Sequence, residues 1–165
     1  MAEKLAESMG APLSGSYETV TLPTPFYGVY AGQSARRVSP EPLSYLLNDT
    51  LEGCTVYDYE SGEKVGVYDM DKAAGADAYE LFLSGSRALM KIQNPAAETE
   101  RRLILFRDSF GSSLAPLLAS GYAEIDVVDI RYISSALLEN FLTFENCDVL
   151  FLYSTLVLNH SVTLK

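Results

Sequence analysis

Hydrophobic and polar positions divide the chain into two textures. From residue 87 onward, short apolar runs alternate with longer stretches of helical period. ALMKIQ (88–93), RLILFRD (102–108), AEIDVVDI (123–130) and CDVLFLYS (147–154) read as strands. SSLAPLLASGY (112–122) and YISSALLENFL (132–142) read as helices, the first ending at Gly121. Near-continuous apolar strands separated by helices predict an α/β core over 87–154 with four parallel strands, covered on both faces and joined by right-handed crossovers.

The earlier part reads differently. Ala2, Leu5, Ala6 and Met9 have helical spacing, and Gly10 followed by Pro12 supplies a stop. A helix beginning at residue 1 has no N-cap and no preceding element to pack on, which predicts a chain that starts inside a larger unit. Residues 16–70 hold most of the eleven tyrosines and more than half of the seven prolines. Short β-like runs occur at YETVTL (17–22), FYGVYA (26–31), CTVYDY (54–59) and KVGVYD (64–69). Glu60-Ser61-Gly62-Glu63 joins the last two as a hairpin turn. Pro23, Pro25, Pro40 and Pro42 are expected to keep the region irregular. The expectation is a tyrosine-rich antiparallel β insertion on one domain of residues 1–165. Its tyrosines serve either as packing or as a surface for carbohydrate or a partner, since Tyr pairs an apolar ring with a polar tip.

Composition narrows the chemistry. A hydrophobic content of 48% argues against disorder in this chain of 165 residues. With 22 acidic and 12 basic side chains the net charge is −10, which argues against a binder of nucleic-acid backbones. No apolar run reaches the roughly 18 residues of a membrane span, and MAEKLAESMG lacks the basic-then-apolar order of a signal peptide. Cys54 and Cys147 form no CxxC, and with one histidine the chain offers a poor ligand set for zinc; the cysteines read as small buried hydrophobes. No GxGxxG or GKS/T appears, so no nucleotide cofactor is expected, and DSFGSS is too faint a match for a phosphate loop.

The informative stretch is LILFRDSFGSS, residues 103–113. Ser109 falls between an apolar strand and a helix start, where open parallel sheets bind ligands. A hydroxyl exposed on that turn, with backbone N–H groups nearby, is an arrangement for a nucleophile and an oxyanion. The plainer reading is that Asp108 and Ser109 simply cap the helix.

RDSFGSSLAPLLASGYAEIDVVDIRYI (107–133) resembles the serine block of the DHHW proteins, bacterial members of the SGNH/GDSL hydrolase superfamily similar to alginate O-acetyltransferase-like proteins. The likeness extends to CDVLFLYS and to AYELFLSGSRALMKIQNP (78–95), and more weakly to residues 17–37, so it covers most of the chain. It implies a flavodoxin-like three-layer fold and a Ser-His-Asp site with Ser109 as nucleophile. Gly85 lies where the family often has a Gly-Gly-Asn turn that donates to the oxyanion, although Ser86 stands here in place of the Asn. Ser109 itself is the other oxyanion position. Arg131 either orients an acidic or sugar substrate, with Asp108 beside it, or is an ordinary surface arginine. The family is typically exported, which implies an extracytoplasmic protein.

One departure bears on mechanism. The Asp-His-His-Trp motif supplies the family's base and its orienter, but this chain has no Trp and only His160. In the family the motif precedes a helix that looks like AEKLAESMG, so the resemblance implies a chain that begins just after it. His160 lies near the C-terminus, where SGNH enzymes carry a DxxH pair, yet residue 157 is Val. It is either a substitute base or a surface histidine, and an incomplete site is expected. Two functions follow. The first is an SGNH-type serine esterase or O-acetyltransferase of cell-envelope carbohydrate, weak in this form, acting on an acylated carbohydrate or small ester. The second is a noncatalytic glycan- or protein-binding module on the same fold. A bare parallel edge is further expected to be covered, by the hairpins or by a second copy of the chain.

Overall fold

A computed structural model describes residues 1–11, 13–28 and 38–164. The expected run FYGVYA therefore lies partly outside the described residues, as does Pro12. A first helix, α1 (Ala2–Ser8), buries Ala2 and Ala6, and Gly10 turns the chain out of it at φ +66. Strands β1 (Glu18–Phe26) and β2 (Glu41–Leu47) pair antiparallel as a separate two-stranded ribbon. Pro23 and Pro25 sit within β1 and Pro42 within β2, so the prolines do not break the strands. The register shifts between Thr21 and Pro25, and a two-stranded ribbon has open outer sides where a missing N–H costs no ladder bond.

The chain continues through α2 (Asp49–Gly53), capped by the Asn48 side chain, into the hairpin of β3 (Thr55–Asp58) and β4 (Lys64–Val65). Gly62, at φ +73, donates its N–H to the Asp58 carbonyl and closes that turn. A short α3 (Met70–Ala73) and a 3-10 turn (Ala78–Leu81) follow. Then come β5 (Leu89–Gln93), β6 (Arg102–Arg107), α4 (Phe110–Leu114), β7 (Glu124–Val128), β8 (Cys147–Leu152) and α5 (Thr155–Asn159).

The main sheet has six strands in the order β4-β3-β5-β7-β6-β8. Only β6, β7 and β8 are mutually parallel; β5 runs antiparallel to β7 and to β3. The expected four-stranded parallel core is thus corrected to a mixed sheet. The reason is connection length. Residues 94–101 between β5 and β6 are too few for a crossover, whereas 108–123 and 129–146 suffice. The β3–β4 hairpin extends this sheet and covers the outer side of β5, while no described strand pairs with the outer side of β8.

Both expected helices are weaker than their spacing implied. Residues 110–114 form one α turn, and Ala115–Gly121, with Pro116 near its start, continues as 3-10 structure before ending at Gly121. Residues 135–140 are 3-10 as well, because of 132–142 only Leu138 and Leu142 are fully buried and a two-residue apolar stripe supports no regular helix.

One sheet face packs Leu103, Leu105, Ile125 and Val127 against α1 and residues 114–122. The other packs Ile104, Phe106 and Val128 against Leu138 and Leu142 and is covered less completely. Phe151 on β8 stacks on Phe106 at 4.6 Å yet remains 64% exposed. A third cluster, Leu22, Leu43, Ala73, Leu81 and Phe82, fastens the ribbon to residues 70–82. Cys54 is buried, and burial pushes its thiol up to about 11. No described helix is long and apolar enough to cross a membrane.

Candidate active site

β6 runs between β7 and β8 and ends at Arg107. Asp108 and Ser109 then turn the chain into α4. Asp108 is 1% exposed, and its two carboxylate oxygens accept from Phe110 N at 3.0 Å and Ser154 N at 2.7 Å. It therefore caps α4 and ties that turn to the end of β8. Capping by Asp108 leaves Ser109 free of that task. Ser109 is exposed, and its hydroxyl makes no cap bond. A serine hydroxyl thus stands at the carboxyl end of the middle parallel strand, where the apolar run LILF and the following helix start predicted it.

Ser109 opens into a pocket of about 370 Å³ that it shares with Ser86, Phe110, Tyr79, Phe26, Gly28 and Asp77. Ser86 arrives there through an unusual turn. Leu83, Ser84 and Gly85 have φ of 54, 55 and +86, three left-handed residues in succession. Leu83 and Ser84 each carry a steric cost there that glycine avoids. Packing holds the turn: Leu83 is buried and donates its N–H to Val67 O, Gly85 donates to Phe82 O, and the Ser84 hydroxyl donates to Asp69 Oδ2 at 2.8 Å. Burial raises the Asp69 carboxyl, but the Ser84 hydroxyl and the Lys72 and Asp71 N–H groups outweigh it and hold Asp69 below the usual range. At Gly85 the left-handed φ favours glycine, and an added Cβ would lie 3.0 Å from Glu80 Cγ and push that side chain aside. Gly85 is the neighbour of Ser86 rather than itself a pocket wall.

Arg131 and His160 are placed apart from this pocket. Arg131 clamps Asp129 with two bonds, Nε to Oδ1 at 2.8 Å and Nη2 to Oδ2 at 2.6 Å, which raises its pKa. His160 ends α5 on the surface, with Nδ1 3.1 Å from the Leu156 carbonyl, and no hydrogen bond joins it to Ser109. The arrangement thus offers an exposed serine hydroxyl at a pocket, with no imidazole on the serine. Among the described residues no three His, Cys, Asp or Glu side chains converge to hold a metal ion.

Two residues of the site escaped the sequence reading. Tyr79 donates its hydroxyl to the Ser109 carbonyl at 3.2 Å, and nothing local in AYELF marks it. Arg107 is completely buried beneath the turn, with Nη1 3.5 Å from Asp129 Oδ2 and no hydrogen bond on any of its three guanidinium nitrogens. Burial lowers its pKa against the pull of Asp129. The signal for Arg107 was present: an arginine directly after the apolar run LILF, at the buried end of the strand. The Tyr153 hydroxyl nearby is likewise buried without a partner, and burial pushes it up to about 12.

No family model matches the sequence, and no curated protein matches it. Solved structures do. The chain is similar to a DHHW family protein from Eubacterium siraeum DSM 15702, at 25% identity and a TM-score of 0.74, over 94% of this chain and 54% of that one. It also matches Bacillus cereus PatB1, solved with a sulfonyl adduct, at 20% identity and a TM-score of 0.65, over 95% of this chain and 56% of that one. A further structure of Bacillus cereus PatB1 gives 18% identity and a TM-score of 0.63, over 94% and 56%. The chain therefore spans just over half the length of the structures it matches, and its fold is similar to that part of the DHHW family protein from Eubacterium siraeum.

Proposed function

We propose that this chain carries the nucleophile half of an SGNH-type serine esterase or O-acetyltransferase site, with Ser109 as nucleophile and an acylated carbohydrate or small ester as substrate. The observation that supports this most is the uncapped Ser109 hydroxyl, exposed at the end of β6 and opening into the pocket with Ser86. In this reading Ser109 Oγ attacks the acyl carbonyl, the alkoxy group leaves, and the acyl group rests on Ser109 until water or a sugar hydroxyl takes it. The Ser109 proton must pass to a base. His160 is turned to its own helix, so attack is slow in this form. The Ser109 N–H is the candidate oxyanion donor; the donation expected from Gly85 is not available, because Gly85 gives its N–H to Phe82 O and Leu83 gives its own to Val67 O. A cell-envelope carbohydrate as substrate puts the protein outside the cytoplasm.

The sulfonyl adduct on the PatB1 structure suggests the probe. Phenylmethanesulfonyl fluoride should form an Oγ–S bond at Ser109 as the S–F bond breaks, releasing fluoride and the hydroxyl proton. Intact-mass and peptide analysis should find slow single labelling at Ser109, absent in Ser109→Ala. Labelling that persists in Ser109→Ala would remove the reading. The second reading, a noncatalytic glycan-binding module, is favoured by the imidazole-free serine, and glycan binding by a chain that never labels would select it.

A further inference from the structure

The β6–α4 turn is held from two sides. From the interior, the Asp108 carboxylate fixes Phe110 N and Ser154 N. From the pocket side, the Tyr79 hydroxyl donates to Ser109 O at 3.2 Å and lies 2.9 Å from Ser113 Oγ. A phenol has one proton. Given to Ser113 Oγ, it leaves the Ser113 hydroxyl donating to Phe110 O at 3.5 Å; given to the Ser109 carbonyl, it leaves Ser113 to donate to Tyr79, and in both arrangements the hydroxyl ties residue 79 to the turn at 109–113. Helix α4 has five residues, too few to hold its own shape. The Ser109 side chain contributes no cap. The position of Ser109 is therefore set by its neighbours.

Tyr79 is itself firmly held. Its N–H is capped by Asp77 Oδ1 at 3.0 Å, and its ring lies between Phe82, at 5.0 Å, and Phe26, at 6.5 Å. Burial raises the phenol, so it remains a protonated donor through neutral pH. It also sits on the segment that delivers Ser86 to the pocket wall. One hydroxyl thus joins the two walls between which a substrate must fit.

We propose that Tyr79 is a positioning residue for Ser109: its hydroxyl fixes the Ser109 carbonyl and so the approach of Oγ to the acyl carbon, and its ring is a wall of the acyl pocket. This rests on the reading of Ser109 as nucleophile. Small errors in placing a reacting atom are costly, and one hydrogen bond lost here corresponds to about a tenfold slower attack.

The test compares wild type, Tyr79→Phe, Tyr79→Leu and Ser113→Ala, each shown folded by its circular-dichroism melt. Two quantities are read: amide exchange over residues 109–114, and the rate of Ser109 sulfonylation split into kinact and KI. Tyr79→Phe keeps the ring, so kinact should fall about tenfold with KI unchanged, and exchange at 109–114 should quicken. Tyr79→Leu should raise KI as well. Ser113→Ala should lie between wild type and Tyr79→Phe. Unchanged exchange in Tyr79→Phe overturns the tether. Faster exchange with unchanged kinact overturns the positioning role while leaving Ser109 as nucleophile. An unlabelled wild-type Ser109 overturns the nucleophile, and with it the positioning role, whatever the exchange shows.

Discussion

The buried charges under the serine turn decide how individual residues will respond to change. Asp129 is fully buried and shared by two arginines: Arg131 clamps it bidentately, and Arg107 faces it at 3.5 Å with no hydrogen bond. The two arginines are therefore not equivalent. Removing Arg107 leaves Asp129 with its full partner and removes a desolvated cation whose donors are unused. Arg107→Met is expected to change stability by no more than about 1 kcal/mol, in either direction. Asp129→Asn strips both guanidinium groups of their counterion and is expected to cost roughly 3 kcal/mol or more. Urea unfolding of the two variants checks the contrast; equal losses would show that Arg107, not Arg131, is the partner that matters. Gly111 belongs to the same packing, since a Cβ there would lie 2.4 Å from Arg107 Cβ.

Among the elements, the ribbon β1–β2 depends on side chains rather than on the main sheet. It contributes Leu22 and Leu43 to the cluster with Phe82, and Tyr68 crosses to it by donating its hydroxyl to the Leu46 carbonyl. The Tyr68 ring packs on Tyr45 at 4.7 Å and on Phe82 at 5.9 Å. Burial raises its phenol, which keeps it protonated as a donor. Tyr68→Phe keeps both ring contacts and loses only the hydrogen bond, about 1 kcal/mol. Local opening reports such a loss where it occurs. Amide exchange should quicken across residues 41–47 and stay unchanged across 102–107; equal acceleration in both would mean that ribbon and sheet open as one unit. Because this ribbon also supports the residues around Tyr79, its Tyr45 has a structural use irrespective of any partner.

For the whole molecule, one of several buried carboxylates sets a pH dependence. Asp126 is completely buried on the sheet face, 3.6 Å from Lys91 and 3.3 Å from Arg102. Burial raises its pKa, and the two bases pull it only partly back. A raised folded pKa means a contribution fully present below the unfolded value near 4 and lost as pH rises through the folded value. At neutral pH the ionised group therefore weakens the fold. Lys91 and Arg102 also reach Glu124, at 3.1 Å and 3.5 Å, so neither loses its last partner if Asp126 is neutralised. Asp126→Asn is expected to melt higher than wild type at pH 7, with the difference shrinking as pH falls toward about 4. A difference that instead grows in acid would show that the ion pairs dominate.

The sequence by itself determined the local events. Apolar runs located the strands from residue 88 on, Gly62 marked the β3–β4 turn, Gly121 ended the helical stretch, and LILF followed by Asp-Ser-Phe-Gly placed Ser109 at a strand end. These depend on period and turn chemistry, which act between neighbours in the chain. The antiparallel direction of β5 was legible too, in the short link 94–101, but the apolar content of the run outweighed it. Only the tertiary structure decided which residues face Ser109. Tyr79, 30 residues earlier, reaches its carbonyl because the ribbon cluster seats the segment that carries it. Asp108, and not Ser109, caps α4 because one of its oxygens is engaged by the end of β8. His160 lies apart because α5 directs its ring to Leu156. Each of these rests on contacts between segments remote in sequence, and a one-dimensional pattern carries no record of which remote segments will meet.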